Sequence, residues 1–217
     1  MAEHRHTFLP ALGLHSLTKF YDPVIRLTVR ERAAKRRLIE QARIAAGMDV
    51  LDFGCGTGTL LLMVKRAYPD ARVSGLDVDP EVLSIARDKL LRAGVDAALK
   101  EGRASAPPFP EASFDRVLTS LVLHHLTTAE KREALTGLRR LLRPDGELHV
   151  ADFGPPQNAL MWLVSRGVGS LAGSERTRVN LSGELPALVR ECEFRDVEER
   201  GGMMTPFGTL AFFAAKV

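Results

Sequence analysis

The chain has 217 residues, 45% of them hydrophobic, with two cysteines and a formal net charge of +3. That length suits one domain with a sizeable core. Two distant cysteines, Cys55 and Cys192, exclude a disulfide framework or cysteine zinc site, a charge this small gives no ground for a polyanionic partner, and no stretch is long and apolar enough to cross a bilayer.

The first twenty residues, MAEHRHTFLPALGLHSLTKF, are broken by Pro10, His15 and Lys19 and lack a small-residue cleavage site. They make a poor signal peptide, which predicts a cytoplasmic protein. Residues 26–43, RLTVRERAAKRRLIEQAR, carry seven bases against two acids. Leu27, Ala34, Leu38 and Ala42 fall at helical spacing, so the segment reads as a helix with a solvated basic face and an apolar side to dock. Peripheral contact with a membrane surface is the alternative use of that basic face.

From Asp49 onward, strand-like and helix-like segments alternate. VLDF (50–53) reads as a short buried strand, and TLLLMVKRAY (59–68) as a helix opened by a glycine turn. ARVSGLD (71–77) is a strand. Asp79-Pro80 then supplies an N-cap and a first-turn proline. DAALKE (96–101) is a weaker strand and FDRVLTS (114–120) a stronger one. Thr127 and Glu130 have capping-box spacing and open a helix through Leu142. Arg143-Pro144-Asp145-Gly146 reads as a turn before the strand ELHVADF (147–153). Residues 154–191 read as mainly helical. FRDVEE (194–199) and GTLAFFAAKV (208–217) close the chain as strands, with GGMMTPFG as the loop between them.

Alternation of this kind predicts an α/β fold: a mostly parallel sheet with helices on both faces. Ligands then sit beyond the carboxyl ends of the strands. The turn VLDFGCGTG (50–58) lies at such an end. A dinucleotide fingerprint requires Gly-x-Gly-x-x-Gly, whereas Gly54, Gly56 and Gly58 are spaced Gly-x-Gly-x-Gly, and Thr59 stands at the third glycine's place. Asp52 precedes the first glycine by two residues, where it would repel a pyrophosphate and welcome an ammonium. Asp77 ends the second strand, at the spacing where a carboxylate can accept from both ribose hydroxyls. Together they suggest a nucleoside carrying an amino acid.

These blocks, with GLDVDP (75–80), PFPEASFDRVLTSLVLHHL (108–126) and LLRPDGELHVADF (141–153), resemble the class I S-adenosylmethionine-dependent methyltransferases. The likeness is to the group containing the ubiquinone/menaquinone and phosphatidylethanolamine enzymes. It implies a Rossmann-like three-layer sandwich with a seven-stranded, mostly parallel sheet and an antiparallel last strand. It also implies one methyltransferase domain over 1–217: an N-terminal helical cap or lid over 1–47, and a cofactor-binding core over 48–217 with an acceptor-pocket insertion at about 154–185. The backbone of Gly54, Cys55, Gly56, Thr57 and Gly58 would approach the methionine part of the cofactor. Asp52 would position its amino group, Asp77 would hold the ribose and Val78 would pack on the adenine. Ser120 would lie near the methyl group, and Tyr21 could close over the cofactor. S-adenosyl-L-homocysteine would be the product.

One position departs from the family. The usual Gly-Asp-Ala after the third strand reads Gly102-Arg103-Ala104 here, and an arginine cannot accept from the adenine amino group. Arg103 could stack on the ring, leaving the Ala104 backbone to read it. His124 and His125 are the candidate bases, with His125 at least as suited as His124. As neighbours on a helix they are expected to point apart. Asp152 is a candidate acceptor contact. The block LVLHHL lacks the glutamates that hold a metal in some relatives, so no metal is expected. The expected acceptor is a small, apolar molecule such as a quinone precursor, lipid or secondary metabolite. Alternatives are a nucleic-acid or protein methyltransferase, a NAD-dependent oxidoreductase, and a cofactor-binding module without turnover. Ser120-Leu121-Val122-Leu123 stands where base-amino enzymes carry Asn/Asp-Pro-Pro-aromatic, which argues against nucleic acid. No motif speaks to the oligomeric state.

Overall fold

The computed structural model describes residues 30–164 and 174–217. In chain order the elements are α1 (Glu31–Gln41), β1 (Asp49–Phe53), α2 (Thr59–Ala67), β2 (Arg72–Asp77), α3 (Pro80–Arg92), β3 (Ala98–Glu101), β4 (Phe114–Ser120), α4 (Thr128–Leu141) and β5 (Leu142–Phe153). Then follow α5 (Ser174–Leu181), α6 (Leu185–Glu191), β6 (Arg195–Thr205) and β7 (Gly208–Lys216). Residues 159–164 are also helical.

The helix starts follow from local chemistry. Asp79 accepts from Glu81 N at 2.9 Å, with Pro80 in the first turn of α3. Thr127 and Glu130 form the expected reciprocal box: Thr127 N donates to Glu130 at 2.8 Å, and Glu130 N to Thr127 Oγ1 at 3.3 Å. Each box satisfies amides that a helix start leaves without partners.

The strands form a seven-stranded sheet in the order β3-β2-β1-β4-β5-β7-β6. β7 pairs antiparallel with both β5 and β6, and the other pairings are parallel, so six strands run one way. Strand alternation sends Val50, Leu118 and Ala151 to a face covered by α1, α2 and α3, and Leu51, Val117 and Val150 to a face covered by α4, α5 and α6. This is the three-layer sandwich expected from the sequence.

Two boundaries differ from expectation. Arg143–Gly146 is not a separate turn but a bulge inside β5: Leu142 still pairs with Phe114, and Glu147 pairs with Arg116. Gly201–Met204 is strand rather than loop, with Gly202 opposite Ala211 and Met204 opposite Thr209. Only Pro206-Phe207 turns the β6–β7 hairpin, where Thr205 Oγ1 donates to Gly208 O at 2.7 Å. In both places sheet pairing outweighs the local turn preference of proline and glycine.

The amino ends of the strands are closed by ions. Asp49 accepts from Arg72 at 2.6 Å and from Arg143 at 2.8 Å, and Arg143 also reaches Asp115. The opposite end is left for a ligand. Among the described residues no helix is long and apolar enough to cross a membrane, and no cluster of three His, Cys, Asp or Glu could hold a metal.

Candidate functional site

The carboxyl ends of β1, β2, β4 and β5 build the site. After β1 the chain turns sharply: Gly54 has φ 70° and Gly56 φ 51°. A Cβ at Gly54 would stand 2.3 Å from the Val122 side chain, so a glycine lets the turn touch the segment after β4. A Cβ at Gly56 would meet nothing within 4 Å, so that stretch of backbone faces open space. Gly54 N and Cys55 N both donate to Leu76 O, at 2.8 and 3.1 Å, which presses the turn onto β2. Lys89 of α3 braces the far side by donating to Thr57 Oγ1 at 2.8 Å. Cys55 is buried, and burial pushes its thiol far above the ordinary range, so it packs rather than reacts.

Asp77 closes β2. One of its oxygens accepts from Gly56 N at 2.8 Å and the other from Asp79 N at 3.1 Å. Burial raises its pKa, opposed by these amides and that of Val78. A carboxylate has about four acceptor positions, so these amides leave acceptor capacity unused.

Asp52 is the outlier. It is 2% exposed, and one of its oxygens is buried with no hydrogen-bond partner. Burial pushes its pKa up to about 7, with Lys35 acting to lower it and Asp77 and Glu31 to raise it. A buried carboxylate lacking a partner is costly unless something cationic completes it.

After β3, Arg103 is exposed and bridges to Ala106, whereas Ala104 is buried. α4 approaches this loop so closely that a Cβ at Gly137 would lie 1.6 Å from Ala104 O. Gly102 N donates to Asp77 O at 2.9 Å, which ties the loop to β2. Val78 is half-buried between them. The end of β4 is strained: Leu121 has φ 59°, and the buried Ser120 hydroxyl has no partner. Side chains held in this region cost energy and cluster at functional sites.

The histidines sit on a short turn of 3₁₀ helix at Leu123–His125, and their rings are neighbours, with centroids 4.0 Å apart. They do not point apart as expected of helix neighbours: the segment is a single turn, and the chain is extended again at Leu126. His124 is buried, and its Nδ1 lies 2.7 Å from Asp152 Oδ1. Asp152 also accepts from Val122 N, His124 N and Phe153 N at 3.1, 3.3 and 2.7 Å. Burial alone would raise the Asp152 pKa, but the charge and hydrogen bond of His124 outweigh it and hold the carboxylate below its ordinary value. Asp152 is therefore enclosed by its own donors and orients His124, rather than reaching an acceptor itself. His125 has an exposed edge. The protein around it and the His124 ring keep its pKa below the histidine norm. Arg176 donates to His125 O at 2.7 Å, and the buried Lys131 joins Arg176 O to Leu126 O, fastening α5 to the histidine turn.

Thus Asp52, Gly54, Cys55, Gly56, Thr57, Gly58, Asp77, Val78, Ala104, Ser120, His124 and His125 converge at one end of the sheet, and Arg103 lies at its rim. Tyr21 lies outside the described residues. Sequence reasoning did not single out the ion pair of Glu31 and Lys35, an i,i+4 acid–base pair on α1 with Glu31 buried.

The fold is a Rossmann-like domain with two carboxylates, Asp52 and Asp77, at the ends of adjacent parallel strands. Residues 50–146 match the family described as a methyltransferase domain. The chain is 39% identical over 132 residues to a demethylmenaquinone methyltransferase of Thermus thermophilus, covering 61% of this chain and 59% of that protein. It is 33% identical over 152 residues to a ubiquinone/menaquinone biosynthesis C-methyltransferase UbiE of a Marinomonas species, covering 68% and 60%. The chain thus spans about 60% of the length of these relatives. A solved SAM-dependent methyltransferase from Aquifex aeolicus shares the fold with TM-score 0.66 and 17% identity, over 90% of this chain and 98% of that one. The chain is thus similar to S-adenosylmethionine-dependent methyltransferases, with the methyltransferase-domain match over residues 50–146.

Proposed function

We propose that this protein transfers a methyl group from S-adenosylmethionine to a small, apolar acceptor of the quinone-precursor kind. The observation that carries this reading is the pair of carboxylates at the ends of adjacent parallel strands. Asp77 keeps acceptor capacity for a ribose, and Asp52 holds a buried oxygen without a donor. Both fit the cofactor. Asp77 would hold the ribose hydroxyls, Asp52 the amino group and the open backbone at Gly56 the methionine chain, with Val78 and the Ala104 loop flanking the adenine. When bound, the cofactor supplies a methyl carbon activated by a sulfonium.

The rest is positioning and one proton. Methyl transfer forms the acceptor–carbon bond as the carbon–sulfur bond breaks, and it rewards a dry, aligned site. An acceptor that must lose a proton needs a base. His124 fills that role: Asp152 holds its Nδ1, which leaves Nε2 to take the proton. The tautomer is assigned from this hydrogen bond. The carboxylate partner favours His124 over His125.

The names of the relatives support a quinone-type acceptor. So do Leu160, Trp162 and Leu163, which stand exposed just beyond β5, at the end of the sheet where the site lies. The acceptor wall falls at about 154–185; of the lid expected over 1–47, residues 1–29 lie outside the described residues, and α1 packs on the sheet instead. Within the basic segment 26–43, Lys35 pairs with Glu31, and Arg37 lies 4.3 Å over the Phe212 ring and donates to Gly202 O. Arg30, Arg32 and Arg36 remain exposed and would be the residues that meet an anionic surface. A thermal-shift comparison tests the reading: S-adenosylhomocysteine should raise the melting temperature and NADH should not. The reverse pattern would replace this function with an oxidoreductase.

A further inference from the structure

The His124–Asp152 pair is assembled from the chain beyond two different strands. His124 stands after β4 on a single 3₁₀ turn that has no side-chain cap, and one turn has little stability of its own. Asp152 stands at the end of β5. Its Oδ1 accepts from both His124 Nδ1 and Phe153 N, each at 2.7 Å, so the Phe153 backbone helps to fix the oxygen that His124 meets. The Phe153 ring is also edge-on to the His124 ring, with centroids 4.8 Å apart. The geometry of the pair therefore depends on how the chain is held just after each member.

α5 holds both places. Arg176 donates to His125 O at 2.7 Å, and Asn180 Nδ2 donates to Phe153 O at 3.3 Å. The two residues are four apart, so they share one face of the helix. Lys131 of α4, 0% exposed, sets the helix in place: its Nζ donates to Leu126 O and, at 2.6 Å, to Arg176 O. Asn180 is 1% exposed, and its Oδ1 has no partner. A leucine there would avoid the cost of an orphaned acceptor. What the amide adds is its one bond, to the strand end beside Asp152. That bond also assigns its orientation, because a carbonyl only accepts.

We propose that Arg176 and Asn180 are positioning residues for the His124–Asp152 pair, forming a brace from α5 that ties the residue after the histidine to the residue after the aspartate. Each acts through a backbone carbonyl. The brace keeps the imidazole against the carboxylate, and so keeps Nε2 aimed as a base. It rests on the proposed role of His124, but its test needs neither cofactor nor acceptor.

The test is proton resonance of the ligand-free protein with isotope-labelled histidine. An imidazole N–H held by a carboxylate gives a signal far downfield, assigned by its loss in His124→Gln. In the unmodified protein this proton should exchange slowly with water. Arg176→Met should speed the exchange about tenfold or more, the scale of a hydrogen bond from a charged group, and Asn180→Leu several-fold. Both should melt within about 4 °C of the unmodified protein. Arg176→Lys, which keeps a cationic donor, should recover most of the protection. If Arg176→Met does not fold, Asn180→Leu carries the test. A helix that only packs predicts the reverse, lower melting temperatures with exchange unmoved, and that result overturns the proposal. So does equal loss of protection in Arg176→Met and Arg176→Lys. Absence of the signal from the unmodified protein would overturn the pair and its brace together. None of these results touches the cofactor reading, which the melting shift with S-adenosylhomocysteine tests separately.

Discussion

The triplet Asp-Phe-Gly occurs twice, at 52–54 and at 152–154, each time at the carboxyl end of a central strand. The two aspartates are equally buried, at 2% and 1% exposure, yet their states are opposite. Asp152 collects three backbone amides and a histidine ring nitrogen, and its pKa falls. Asp52 keeps an oxygen with no donor, and its pKa rises to about 7. Burial is common to both, so the donors decide. A carboxylate completed by its own protein orients a neighbour; under the proposed function the incomplete one receives the cofactor's ammonium.

The largest expected effect comes from breaking the completed side. Asp152→Asn places an amide among groups that all donate. It should cost about 3–5 kcal/mol in denaturant unfolding, the range for stripping one member from a buried pair. Methyl transfer should fall further than cofactor binding. His124→Gln separates those effects: the rate should drop about 10²–10⁴-fold, while S-adenosylhomocysteine affinity stays within twofold. A rate that survives would leave Asp152–His124 a purely structural pair.

The incomplete side predicts the opposite sign. The folded pKa of Asp52 is raised from 3.8 to about 7. Its neutral form therefore supports the fold fully below pH 3.8, and that support is lost as pH rises through 7. Asp52→Asn should therefore stabilise the ligand-free protein at pH 8, by an amount on the order of a few kcal/mol. Each kcal/mol is worth about 2–4 °C in melting temperature at this size. The same change should weaken S-adenosylhomocysteine binding. A variant that melts lower at pH 8 would mean that Asp52 already has a partner. The smallest effect is expected at the rim: Arg103→Ala should alter cofactor affinity by no more than about twofold, because the side chain is exposed.

The comparison also shows what a sequence can carry. β4 was legible to the residue, because the short run FDRVLTS, apolar at Phe114, Val117 and Leu118, lies between clear breaks. The capping residues of α3 and α4 were legible because a cap is a local device. Arg143–Gly146 and Gly201–Met204 misled because their turn-forming residues are taken up at register shifts inside paired strands, with Gly201 at φ 79°. The placement of Asp52 and Asp77 at adjacent strand ends was legible from spacing within one βαβ unit. The role of Asp152 was not, since two of its donors and the His124 ring come from a turn some thirty residues away.

The measurement closest to the centre of this account is calorimetric titration of the unmodified protein with S-adenosylhomocysteine between pH 6 and 7.5. An ammonium received by Asp52 requires the ionised carboxylate, so affinity should rise several-fold across that range, with a proton released on binding at the lower pH. Binding indifferent to pH, or no binding at all, would contradict the assignment of Asp52 as the carboxylate left open for the cofactor.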